Sequence, residues 1–115
     1  MNIHKMRLVD FAFKAIENRE KDIEVRLCDE KRQLINIGDI IEFENIDTSE
    51  KLKVKVINLH KFNTFSDLFD FFDHRRLGLN DNDDASIMNN FYSKEEQKKY
   101  GVVGIEISLI EKWYN

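Results

Sequence analysis

Lys21, Glu24 and Arg26 place an ammonium, a carboxylate and a guanidinium close together in the sequence. The ammonium can stabilise a phosphate, a carbonyl or a developing oxyanion, and the carboxylate can accept an amino edge or activate water. The guanidinium can grip a phosphate or a base through its planar fork. These three side chains are set by a strand. Ile23, Val25 and Leu27 alternate with Asp22, Glu24 and Arg26, the period-two pattern of a strand over residues 22–27 with one face buried. Glu24 and Arg26 therefore share a face. If the apolar set enters a barrel, the charged pair lies on the opposite face beneath flanking helices, with Lys21 approaching from the adjoining turn. The expected result is one concave, partly accessible cleft with Tyr92 at its rim.

Lys21 and Glu24 are the candidate catalytic residues, and Lys21, Glu24, Arg26, Asp29 and Tyr92 the candidate ligand-binding set. Each has a blander reading. Lys21 and Glu24 can form a surface ion pair worth less than about 1 kcal/mol. Arg26 is as well suited to be a strut holding Glu24 or Asp29 as to bind a ligand. Tyr92 can stack on a base, or pack with Phe91 against the barrel. Ser93 has a sufficient role as a helix cap, and no Ser-His-Asp arrangement accompanies it.

At 115 residues and 42% hydrophobic, the chain has material for one core and is read as a single domain over residues 1–115. Its lone Cys28 excludes an intramolecular disulfide. His4, His60 and His74 are dispersed, and Asp81, Asp83 and Asp84 lack the glycine and glutamate of a calcium loop, so no metal and no cofactor is expected. The start of the chain has no uninterrupted apolar run, and no stretch is long enough to span a bilayer, so a cytoplasmic protein with no membrane partner is expected. A net charge of −4 argues against capture of duplex nucleic acid by a broad basic surface.

Helical spacing of Leu8, Phe11, Ala12, Ala15 and Ile16, with Asp10 as N-cap, predicts a helix over residues 10–18. Further strands are expected at Ile40–Glu44 and Lys53–Leu59, paired across the turn at Asn45–Glu50. Thr64 caps a helix presenting Phe65, Leu68, Phe69 and Phe72, which runs out near His74-Arg75-Arg76 before Gly78. A short helix over Asp84–Phe91 follows, then a capping box at Ser93-Lys94-Glu95-Glu96 whose helix ends at Gly101, and a last strand over Val102–Ile110. Strands separated by helices predict an α+β fold: a small mixed β-barrel closed by the C-terminal strand, with flanking α-helices.

Four segments carry a family resemblance. Lys21-x-x-Glu24-x-Arg26-Leu27, Gly38-Asp39-Ile40-Ile41-x-Phe43, Phe65-x-x-Leu68-Phe69 and Phe91-Tyr92-Ser93-x-Glu95-Glu96-x-x-x-Tyr100-Gly101-Val102-Val103-Gly104-Ile105 resemble, in order and spacing, the ASCH domain, a branch of the PUA-like superfamily. The resemblance spans about His4 to Ile110. It implies a PUA-like barrel, a cleft lined by the Lys, Glu and Arg of the first motif, and RNA or a nucleoside or nucleotide as partner. One bacterial branch hydrolyses the acetyl amide of N4-acetylcytidine, and some relatives are reported as ribonucleases. The chain departs from the family in two places. Arg19 stands where a glycine is frequent, which predicts a differently shaped turn. Glu24 stands where the amidohydrolase branch has a threonine proposed as nucleophile, a hydroxyl that a carboxylate does not replace. The leading expectation is an RNA-binding or nucleotide-binding domain. The alternatives are a hydrolase using Lys21 and Glu24, or a protein-interaction module docking through exposed Phe residues between 65 and 72.

Overall fold

The computed structural model describes residues 1–113. Its order is β1 (Ile3–Leu8), α1 (Asp10–Glu17), β2 (Ile23–Leu27), a 3-10 turn (Arg32–Leu34), β3 (Ile40–Asn45), β4 (Lys51–Phe62), α2 (Phe65–Phe71), two further 3-10 segments (His74–Leu77 and Ala85–Asn90), α3 (Lys94–Tyr100) and β5 (Val102–Trp113). The strands form one mixed sheet in the order β1-β3-β4-β5-β2. β1 runs parallel to β3, and the other neighbours are antiparallel. The α+β class and barrel-like curl follow the expectation, but the sheet is a half-barrel: β5 joins β4 to β2, leaving β1 and β2 as edges.

The sheet carries an apolar layer on each face. Inside the curl, Met6, Leu8, Ile41, Phe43, Leu52, Val54, Val56, Val103, Ile105 and Ile107 pack with Phe13 and Ile16 of α1. On the other face, Ile23 and Val102 meet Phe65, Leu68, Phe69 and Phe72 of the α2 segment, with Leu77 and Met88. Gly104 lies at this second contact, where a Cβ would come within 3.1 Å of Ile23 and 3.2 Å of Phe72. A bare backbone at that point lets α2 approach the sheet.

This double layer inverts the expected orientation of β2. Glu24 pairs with Ile105 and Arg26 with Val103, so the charged side chains share the inward face with the barrel core. Ile23 and Val25 instead pack beneath α2 and the 3-10 segments. Alternation shows which residues share a face, and both faces of β2 are covered.

Three local expectations also change. Asp10 is the first helical residue, preceded by Val9 with no side-chain cap, and its carboxylate accepts from Asn45 Nδ2 at 2.8 Å. Leu8 belongs to β1, and α1 buries Phe13 and Ile16 while Phe11 is exposed. The α2 helix ends at Phe71, and the turn His74–Leu77 carries the chain to Gly78. Phe65, Phe69 and Phe72 are buried, leaving Phe71 as the exposed phenylalanine of that segment. Three of the four phenylalanines expected to form a docking face there are therefore interior. At α3 the capping box forms as expected, Ser93 Oγ accepting from Glu96 N at 3.1 Å.

Asp39 fastens β1 to the start of β3. Its oxygens accept from Asn2 N at 3.1 Å and Asn36 N at 3.0 Å, and share a 2.8 Å hydrogen bond with His4 Nε2. The His4 bond, then the two backbone donors, hold the Asp39 carboxyl down at about 2, against 3.8 ordinarily. A depressed carboxyl stabilises the fold fully above its ordinary value, and that contribution is lost as pH falls through the folded value. Asp39→Asn should therefore lower the thermal midpoint at neutral pH, with the gap to the parent closing between pH 3.8 and about 2. A pH series of melting curves checks this. A gap that stays constant over that range would show that Asp39 acts through shape and not charge.

Candidate functional site

The turn before β2 is built by an unusual residue. Arg19 adopts a left-handed φ of 64°, the conformation glycine enters without steric cost. Arg19 thus takes up a backbone conformation that glycine favours. Lys21 N then donates to Ala15 O at 3.0 Å, and the chain enters β2 with the Lys21 side chain directed inward.

Lys21 and Glu24 are 6% and 4% exposed, so theirs is no surface ion pair. Lys21 Nζ donates to Ile23 O and Leu77 O, both at 2.9 Å, and lies 3.2 Å from Glu24 Oε1. Three acceptors match the three protons of an ammonium, so Lys21 is saturated by protein. Glu24 Oε2 accepts from Arg26 Nε at 2.6 Å. Arg26 Nη2 reaches across to Arg7 O of β1 at 3.0 Å, so this guanidinium spans the seam between the two edge strands. Arg26 is thus a strut for Glu24 and for the half-barrel as well as a wall of the cleft.

The electrostatics follow from this packing. Burial pushes the Glu24 carboxyl up, but the charges of Arg26 and then Lys21, with their hydrogen bonds, outweigh it and leave it below the ordinary carboxylate value. For Arg26, burial works against the charged form, yet Glu24 and then the Tyr92 phenol hold its pKa above the ordinary value. The centre is a fixed cation–anion–cation triplet with a net positive charge.

These groups open onto a cleft of about 440 Å³. Lys21, Glu24, Val25 and Arg26 line it from the β2 side, Arg7, Phe11 and Ala12 from β1 and α1, and Ile87, Met88, Phe91 and Tyr92 from the 3-10 segment and the turn after it. Tyr92 stacks on Phe65 with ring centroids 5.9 Å apart and planes 17° apart, which fixes its ring at the cleft edge. The structure brings Lys21, Glu24, Arg26 and Tyr92 together but leaves Asp29 outside. Asp29 accepts from Arg32 N and Arg32 Nη1, both at 3.1 Å, and so organises the turn after β2. Arg7, Phe11 and Phe91 belong to the cleft wall and were not singled out from the sequence. For Phe11 the helical spacing pointed the wrong way, toward the core.

Larger surface grooves lie elsewhere, but they lack this charged triplet. Among the described residues no group of three or more His, Cys, Asp or Glu side chains is arranged to hold a metal, and no helix is long and apolar enough to cross a membrane.

A curled five-stranded half-barrel with flanking helices is the architecture of a PUA-like domain. The chain belongs to the ASCH domain family, whose model matches residues 6–111. It is similar in structure to two hypothetical archaeal proteins. The crystal structure of PH0355 has a TM-score of 0.83 at 35% identity, with 96% of this chain and all of that chain covered. The solution structure of PF0455 from Pyrococcus furiosus has a TM-score of 0.74 at 34% identity, covering 94% of this chain and 97% of that one. No curated protein matches the chain significantly.

Proposed function

We propose that this ASCH domain binds RNA or a nucleotide-like ligand in the cleft, with Glu24 and Arg26 reading polar edges and Tyr92 supplying an aromatic wall. The observation that carries this reading is the juxtaposition of a buried carboxylate and a part-buried guanidinium at an otherwise largely apolar cleft of about 440 Å³. Small-molecule pockets combine apolar walls with a few fixed polar groups in this way, and the volume is of the size that takes one small ligand. A nucleobase presents donors and acceptors side by side, which matches an acceptor such as Glu24 beside a donor such as Arg26. The resemblance of the family to RNA-associated proteins supports the same ligand class.

Binding suits this centre better than turnover. A general base works best with a pKa near the operating pH, whereas Glu24 is held low by Arg26 and Lys21. An ammonium stabilising an oxyanion needs a proton to offer, and the Lys21 protons already have acceptors. The hydrolase reading therefore draws no support from the geometry.

Titration of isotopically labelled protein with nucleosides and short RNAs, at one moderate salt concentration, tests the proposal. Expected are amide and side-chain shifts at Lys21, Glu24, Arg26 and Tyr92, with little change at Asp29. Shifts absent from the cleft for every ligand would remove the proposal's main support.

A further inference from the structure

Two phenylalanines at this cleft are out of place for a soluble surface. Phe11 is 63% exposed and Phe91 is 68% exposed, and both line the same opening. They come from different elements, Phe11 from α1 and Phe91 from the end of the 3-10 segment Ala85–Asn90. Neither ring has an aromatic partner within the described residues, unlike Tyr92, which stacks on Phe65. Isolated exposed apolar residues need no explanation, but two large rings converging on one polar-floored opening mark a contact surface.

The floor says which part of a ligand enters. Lys21 has no proton to spare, and Arg26, with two of its five N–H donors engaged by Glu24 and the Arg7 carbonyl, keeps donors for the edge of a base. Glu24 would repel a phosphate brought against it. A neutral ring with donors and acceptors on its edge fits there, and a phosphate does not. The phosphate must stay at the mouth, where the exposed Arg7 side chain lies beside the rings. A cleft of about 440 Å³ is of the size that takes one small ligand, so aromatic rings at its mouth would contact whatever continues beyond the inserted base.

From this we infer that the partner is a single-stranded RNA, one of whose bases enters the cleft while Phe11 and Phe91 stack on the bases that flank it and Arg7 meets the backbone. The inference rests on the reading of the cleft as a nucleotide site and specifies it further: base inside, backbone outside, neighbours on the rim. Exposed aromatics accept any base face, so the rim confers affinity for a strand and the floor confers choice of base. The acidic chain as a whole, at −4, disfavours tracking along a duplex.

The experiment compares ribo-pentamers of each base with the matching nucleoside monophosphates, at one moderate salt concentration, on the parent and on Phe11→Ala, Phe91→Ala, Phe11→Leu, Phe91→Leu, Phe11→Tyr and Phe91→Tyr. Both positions are exposed, so the melting temperature should hardly move. Expected is a pentamer that binds more tightly than its monophosphate, and a loss of roughly 5- to 150-fold in pentamer affinity for each alanine variant, the range spanned by base–aromatic stacking. Monophosphate affinity should fall by less than pentamer affinity, because a single base in the cleft meets the rim rings only at its edge while a strand stacks on them. The leucine variants should lose nearly as much as alanine, and the tyrosine variants should retain affinity. Pentamer affinity unchanged in the alanine variants, or restored by leucine, would overturn the rim assignment, as would competition by an apolar peptide for the same mouth. Monophosphates that bind with shifts at Glu24 and Arg26 would then leave the cleft reading standing. If neither pentamers nor monophosphates bind the parent, the cleft reading itself fails.

Discussion

Glu24→Gln is expected to cost about 3–5 kcal/mol of folding stability, the usual penalty for removing one member of a buried charge group. Glu24 is 4% exposed and sits between Lys21 and Arg26, so the amide leaves two cations without their counter-charge. Lys21 is the more damaging orphan. It keeps the Ile23 and Leu77 carbonyls but is itself 6% exposed and cannot carry its ammonium to water, whereas Arg26 is less deeply buried. Against a typical total of about 5–15 kcal/mol, the loss is large, and for a chain of this length it lowers the melting temperature by roughly 12–20 °C. The obvious test of a catalytic Glu24, substitution with the fold left intact, is therefore not a clean one.

A double-mutant cycle separates the charge from the shape. Lys21→Met with Glu24→Leu removes the cation that Glu24 was needed to neutralise, so the pair together should cost well under the sum of the single variants. Arg26 can then turn toward solvent. The parent should also lose stability in acid. The Glu24 carboxyl lies below its ordinary value because Arg26 and Lys21 outweigh its burial, so its contribution is full above the ordinary carboxylate range and disappears as pH falls through the lowered value. Denaturant melts at neutral pH, with the cycle complete, check the coupling. Strict additivity would mean that the triplet is three independent contacts.

Some of this architecture was legible because its determinants are local. The Ser93 capping box, the Thr64 cap and the inward alternation of Val103, Ile105 and Ile107 are each written within a few neighbouring residues. β1 was not, because one of its inward positions is His4. That imidazole breaks the apolar alternation, and its partner Asp39 lies 35 residues away. The clustering of Lys21, Glu24 and Arg26 followed from strand periodicity, but the side of the sheet they occupy did not, because periodicity carries no sign when both faces are covered. Their burial was equally hidden. Lys21 is held inside by the carbonyl of Leu77, 56 residues along the chain, and a backbone acceptor has no sequence signature.

That distant carbonyl makes Gly78 a sensitive position. Gly78 follows the turn His74–Leu77 with a φ of +75°, and a Cβ there would stand 2.9 Å from Lys21 Cδ and 3.4 Å from Lys21 Cγ. A flexible surface lysine would swing away. This one cannot, because its ammonium is held by Ile23 O, Leu77 O and Glu24. Gly78→Ala therefore combines the left-handed strain of an L-residue, about 1–2 kcal/mol, with overpacking of the stem, about 1–3 kcal/mol. Gly38 supplies the control, since it has a φ of +96° and nothing within 4 Å of a built Cβ. Gly38→Ala carries backbone strain alone. The excess cost of Gly78→Ala over Gly38→Ala, expected at about 1–3 kcal/mol, measures how rigidly Lys21 is held. Ligand affinity should fall in Gly78→Ala and stay at the parent value in Gly38→Ala, because only the first displaces a cleft side chain. Equal costs for the two alanines in chemical melts would show that the Lys21 stem yields, and an ammonium that yields is free to meet a ligand.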